Sequence, residues 1–185
     1  MSVKFYGKYR AIVTNNNDPE QWGRIKVKCP SVLGDYESHW CMPCVPYLCN
    51  NEGVFTLPNV GDGVWIEFEE GKLNQPIYVG GWFNPNQYPS DDYANAHKRL
   101  IMKTRGGNIV KVDDTNNSIV LQCKGGAKVT VKDDTITLDG NVTVTGNLTV
   151  NRNTTVANQV SANSVYASHI EGDNMCACNF GESCK

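Results

Sequence analysis

The feature that most limits what this chain can fold into is a six-residue repeat. From Gly140 the sequence runs GNVTVT, GNLTVN, RNTTVA, NQVSAN. Val142, Leu148, Thr154 and Val160 hold the third position, and Val144, Val150, Val156 and Ala162 the fifth. Positions two apart point the same way on an extended chain, so each hexad presents its third and fifth positions to one side, all apolar except Thr154. A lone extended segment cannot bury such a stripe. One solution winds a single chain into a left-handed β-helix, but the strict hexads end near Asn163, little more than one coil, and a single coil has no neighbours above and below. A second wraps three chains around one axis, with apolar residues inward and every backbone edge paired. The three-chain solution is expected here, with a plain β meander as the remaining option.

Looser alternation reaches back to about residue 100, through the pairs Val110/Val112, Ile119/Leu121, Val129/Val131 and Ile136/Leu138. The outer positions are Thr, Asn and Lys. The product would be a slender rod with a polar skin and no pocket for catalysis.

The upstream half reads differently. It holds all four tryptophans, Trp22, Trp40, Trp65 and Trp82. RIKVKC places Ile25 and Val27 on one face and Arg24, Lys26 and Lys28 on the other. VWIEFEE does the same with Val64, Ile66 and Phe68 against Trp65, Glu67 and Glu69. Short strands cut by Gly and Pro turns predict a small antiparallel barrel or sandwich. Residues 84–99 are polar with two prolines and read as a linker, with a helical turn capped by Ser90 or Asp91. The expected fold is all-β: a barrel over residues 1–83, the linker 84–99, a trimeric β-helix over 100–172 and a cysteine-rich apex over 173–185.

Lys and Arg total 17 against 19 Asp and Glu, for a net charge of −2. The signs are interspersed, which argues against an electrostatic grip on nucleic acid. The N-terminal stretch has no apolar core of signal-peptide length, and no run approaches the roughly 18 residues of a spanning helix. A soluble protein made in a cytosol, with reduced thiols, is expected.

DPEQWGRIKV (Asp18 to Val27), WCMPCVP (Trp40 to Pro46) and LPNVGDGVWIEFEEGKLNQPIYVGGW (Leu57 to Trp82) resemble the OB-fold domain of the central spike, or baseplate assembly protein V, family of contractile phage tails and type VI secretion systems. The motif likeness covers residues 8–83; the repeat-bearing half is similar in architecture. The resemblance implies a homotrimer seated under a baseplate hub protein at the end of the tail tube, in the virion tail baseplate, assembled in the host cytoplasm. Its function would be mechanical: sheath contraction pushes the spike into the target cell envelope. Asp18-Pro19, Gly23 and Gly61-Asp62-Gly63 read as turn chemistry rather than as a site. Some relatives carry an enzyme domain between barrel and needle, and residues 84–99 are far too few for one. No G-x-S-x-G or H-E-x-x-H occurs, and the three histidines (His39, His97, His169) form no catalytic pattern. No enzyme activity, small-molecule substrate or nucleic-acid partner is expected. The rivals are an acyltransferase-like left-handed β-helix enzyme and an OB-fold module that binds single-stranded nucleic acid.

The chain carries eight cysteines. Cys176, Cys178 and Cys184 share one strand parity, so in a three-fold rod each would form a ring of three thiols. Soft thiolates suit iron or zinc, and the resemblance implies an axial metal ion at the spike apex. His169 is a further candidate ligand, by way of a bend at Gly172. Interchain disulfides and inert thiols are the alternatives. The C-x-x-C of Cys41 and Cys44 has zinc spacing, but on a strand positions three apart face opposite sides, so buried thiols are the expected reading.

Overall fold

The computed structural model describes residues 3–85, 87–89 and 93–164. These fall into two units, divided between Gly140 and Asn141.

The first unit opens with a five-stranded barrel. Its strands are β1 (Tyr9–Asn15), β2 (Lys26–Lys28), β3 (Met42–Pro43), β6 (Gly63–Phe68) and β7 (Pro76–Gly81). A one-turn helix α1 (Pro30–Leu33) follows β2, and a small hairpin of β4 (Leu48–Cys49) and β5 (Glu52–Gly53) sits in the long loop before β6. The sheet order is β2-β1-β6-β7-β3, antiparallel except for β3 beside β7. Its two edges then meet. The Ile25 amide donates to the Cys41 carbonyl at 3.2 Å, and the Cys41 amide returns the bond to Ile25 at 2.7 Å. This closure leaves no open edge between β2 and β3. It gives the strand order of an OB barrel.

Strand alternation sets the core. Ile25 and Val27, and Val64, Ile66 and Phe68, all point inward and are buried with Ala11, Val13, Cys29, Cys41 and Tyr78. The outward neighbours Arg24 and Lys26 are half-buried and Lys28 is exposed, as their alternate positions require. The β6–β7 ladder slips by one residue between Trp65 and Ile66, and Gly80 there takes φ +139. That is a bulge at a barrel corner, where a residue without a Cβ lets the strand bend.

A second sheet follows in the same unit. Two 3₁₀ turns span Tyr93–Lys98, inside the stretch expected to be a linker; the caps expected at Ser90 and Asp91 lie outside the described residues. Then come β8 (Arg99–Lys103), β9 (Ile109–Asp113), β10 (Ser118–Gln122), β11 (Lys128–Lys132) and β12 (Thr135–Asp139), an antiparallel meander in sequence order. The change of pattern near residue 100 is therefore the start of β8. These strands pair with their sequence neighbours within one chain, so residues 99–139 are a single-chain meander, whereas an intertwined β-helix was expected from residue 100.

The second unit carries the hexads. Over residues 141–164 the chain alternates four residues outside any strand or helix with a two-residue bend, at Thr145-Gly146, Asn151-Arg152 and Ala157-Asn158. Among the described residues no strand is paired beyond Asp139.

Candidate assembly interface

The register of the meander aligns its apolar side chains in two rows. Leu100, Val112, Ile119, Val131 and Ile136 lie directly opposite one another from strand to strand, and so do Met102, Val110, Leu121, Val129 and Leu138. All ten share one face. Cross-strand neighbours of this kind cooperate in holding a sheet, but here little packs above them. Leu100 is 60% exposed, Met102 58%, Ile136 68% and Leu138 53%. Monomeric proteins seldom leave such a contiguous apolar face open to water.

The sheet's own stability is secured at one end by Asp113, which is fully buried. Arg99 Nε lies 3.0 Å and Lys111 Nζ 3.3 Å from its carboxylate. Asn116 Nδ2 and the Thr115 amide each donate to it at 3.0 Å, which shapes the β9–β10 turn. Burial pushes the Asp113 pKa up. The hydrogen bonds from Asn116, Arg99 and Lys111 outweigh that penalty and hold the carboxyl well below the usual carboxylate range.

The hexads repeat the same imbalance in smaller form. Val142, Leu148 and Val160 are 61%, 73% and 67% exposed, although they occupy the positions expected to face inward. Residues 141–164 make no backbone hydrogen bond among the described residues. Backbone of this kind has its donors and acceptors free for another strand.

His169, Cys176, Cys178 and Cys184 lie outside the described residues. Among the described residues, no group of three His, Cys, Asp or Glu side chains is placed to hold a metal ion. The C-x-x-C pair splits across the barrel wall: Cys41 is buried while Cys44 is exposed. Burial pushes the Cys41 thiol up to about 11, so it stays protonated near neutral pH. Ser38 Oγ lies 3.4 Å from its sulfur.

The DP-x-x-x-GR segment proves to be more than turn residues. Asp18 accepts from the amides of Glu20, Trp22 and Arg24 at 3.1, 2.9 and 3.2 Å. The Arg24 guanidinium clasps the same carboxylate with two bonds of 3.1 and 2.7 Å. The side chains are 4% and 12% exposed, and the Arg24 hydrogen bond leads in holding Asp18 well below the usual carboxylate range. Gly23, with φ +75, lets the loop turn beneath the Phe55 ring. The sequence signal for this clasp was present as an acid and an arginine six apart on either side of a glycine.

Arg24 also lies over the rings of Trp22 and Trp40, at 4.9 and 5.6 Å, and Arg10 over Trp65 and Trp82, at 5.3 and 5.5 Å. The barrel's tryptophans thus each have a guanidinium of the same chain stacked on them. Trp82 further donates its indole N–H to the carbonyls of Ala11 and Val64. These rings are structural partners of the barrel wall.

No curated protein matches the chain. Residues 9–83 match the family described as the type VI secretion system/phage-baseplate injector OB domain. The match begins at the first residue of β1 and ends two residues past β7, so it spans the closed barrel and stops before the meander. Over residues 9–83 the barrel is similar to the injector OB domain of type VI secretion systems and phage baseplates.

Proposed function

We propose that the injector OB domain gives the chain a structural role in a phage tail or a related injection machine, at the baseplate. Within that role, we propose that the chain is the central spike: a homotrimer that seats on the baseplate hub and tail tube through its barrel and is driven into the target envelope when the sheath contracts. One observation carries this reading, the bare apolar face of the meander. Fully burying one such side chain contributes about 1.5–3 kcal/mol, so covering ten half-exposed ones contributes on the order of 10 kcal/mol per chain. Three copies around an axis would cover all three faces at once and leave the mixed polar faces outside. The hexads would assemble likewise, each chain supplying the strand partner its neighbours lack.

The action is mechanical and needs no turnover. Stiffness comes from apolar side chains on the axis and from backbone hydrogen bonds between chains. Assembly takes place in the host cytoplasm. Beyond the hexads, Cys176, Cys178 and Cys184, with His169, are proposed to bind one axial iron or zinc ion per trimer.

Absolute molar mass from light scattering, with elemental analysis on the same peak, tests the reading. A trimer near 61 kDa, three times the 20.4 kDa chain, is expected. A 20.4 kDa species at micromolar concentration would sink it. Metal retained by the Cys176→Ser/Cys178→Ser protein would remove the apex assignment alone.

A further inference from the structure

The meander is electrically lopsided along its strands. At the end where β12 runs out into Gly140 stand Lys103, Arg105, Lys124 and Lys128 against one carboxylate, Asp139. Lys128 takes that carboxylate at 3.3 Å. Lys103, Arg105 and Lys124 are exposed and form no ion pair with a described residue. At the opposite end Lys98, Arg99, Lys111 and Lys132 are balanced by Asp113, Asp114, Asp133 and Asp134, and two of the four cations close on Asp113.

The cationic end is built from two matching turns. T-R-G-G-N (Thr104 to Asn108) and C-K-G-G-A (Cys123 to Ala127) close in the same way. Thr104 and Asn108 are joined by a 2.9 Å backbone bond, as are Cys123 and Ala127, and each second glycine donates back to the first residue of its turn at 2.9 or 3.0 Å. The Lys124 amide donates to Asn108 Oδ1 at 3.0 Å, which ties one turn to the other. Arg105 and Lys124 are therefore held side by side on short, cross-linked turns.

We propose that these turns form a basic collar that binds the anionic phosphate headgroups of a lipid bilayer. The inference rests on the trimeric spike reading: three copies would present Lys103, Arg105 and Lys124 three times over, on the turns at one end of the meander. A spike driven into an envelope brings such turns against its anionic lipid. Each cation at an anionic surface strengthens binding about fivefold, and salt weakens it.

The test uses the full chain and vesicles of phosphatidylcholine with or without phosphatidylglycerol, read by flotation over a salt series. Binding to the anionic vesicles alone, falling as salt rises, is expected. Arg105→Gln/Lys124→Gln should weaken it at least about tenfold, while Lys98→Gln/Lys132→Gln, which removes equal charge from the other end, should leave it within about twofold. Equal loss in both variants overturns the collar, as does tighter binding to duplex DNA than to vesicles at the same salt. A protein of trimer mass that ignores anionic vesicles overturns the collar and leaves the spike standing. A monomeric mass overturns the spike, and the collar with it.

Discussion

The barrel and the meander are each five strands of alternating apolar and polar residues, yet only one of them satisfies itself. In the barrel the inward residues are nearly all fully buried, because the sheet curls until Ile25 and Cys41 join its edges. In the meander the same alternation leaves Leu100, Ile119 and Ile136 half to two-thirds exposed, because the sheet stays open. Alternation fixes which side chains share a face. Closure decides whether that face is a core or an interface. A sheet that does not reach its own far edge leaves that face for something else to cover.

The largest effect that would break this contrast is a charge on the meander's apolar face. Leu121→Asp would bring unpaired carboxylates together on the proposed shared axis, at several kcal/mol each. Molar mass should fall from that of the proposed trimer to that of a monomer while the barrel's near-ultraviolet circular dichroism persists. Thr137→Asp, on the opposite face of β12, should leave the trimer intact. Loss of assembly in both variants would remove the distinction between the faces.

Next in size is a cavity inside the barrel. Ile66 is fully buried, and Ile66→Ala should cost about 2–5 kcal/mol of barrel stability in denaturant melts. The mass should not change, since the barrel's core is internal to one chain.

A smaller cost is expected at the loop that carries the Asp18–Arg24 clasp. In Gly23→Ala the new methyl meets the Phe55 ring at 2.6 Å, but that ring is 48% exposed and can swing aside. What remains is a left-handed backbone with a side chain, about 1–2 kcal/mol, measurable by thermal melting.

The smallest effect near neutrality is pH dependence, and it treats both sheets alike. Asp18 and Asp113 have folded pKa values below their unfolded ones, near 3.9. The stability each contributes is fully present above that value and drains away as pH falls toward the folded one. Stability should be flat between about pH 5 and 8 and fall below that range, and Asp18→Asn or Asp113→Asn should flatten the acid limb. An acid limb unchanged in both variants would show that other carboxylates govern it.

Much of the barrel was legible because its core is written in strict alternation. Ile25, Val27, Val64, Ile66 and Phe68 could be placed by parity alone, whereas the buried thiols expected of the C-x-x-C pair hold for Cys41 and not for Cys44, which is exposed. The β4–β5 hairpin was missed, since its two-residue strands are too short to alternate. Its signal was Asn50-Asn51, both in the left-handed region as a tight hairpin turn requires. The Asp18–Arg24 clasp was read as turn chemistry because residue types do not reveal that one carboxylate will gather three amides and a guanidinium. Leu100 and Met102 passed unnoticed as the first rung of the meander, and so did the kinship of T-R-G-G-N with C-K-G-G-A nineteen residues later. The exposed face is legible only in part: periodicity gives the stripe, but not whether the chain bends round to cover it.

The four-plus-two rhythm of residues 141–164 sets a rule for variation in length. Inserting or deleting six residues returns every later side chain to its former side, whereas three would turn each stripe inside out. A segment of this kind lengthens in whole steps, like a ruler, and the barrel and meander before it need not change as it does. Related chains can therefore be expected to differ in the length of this segment by multiples of six residues.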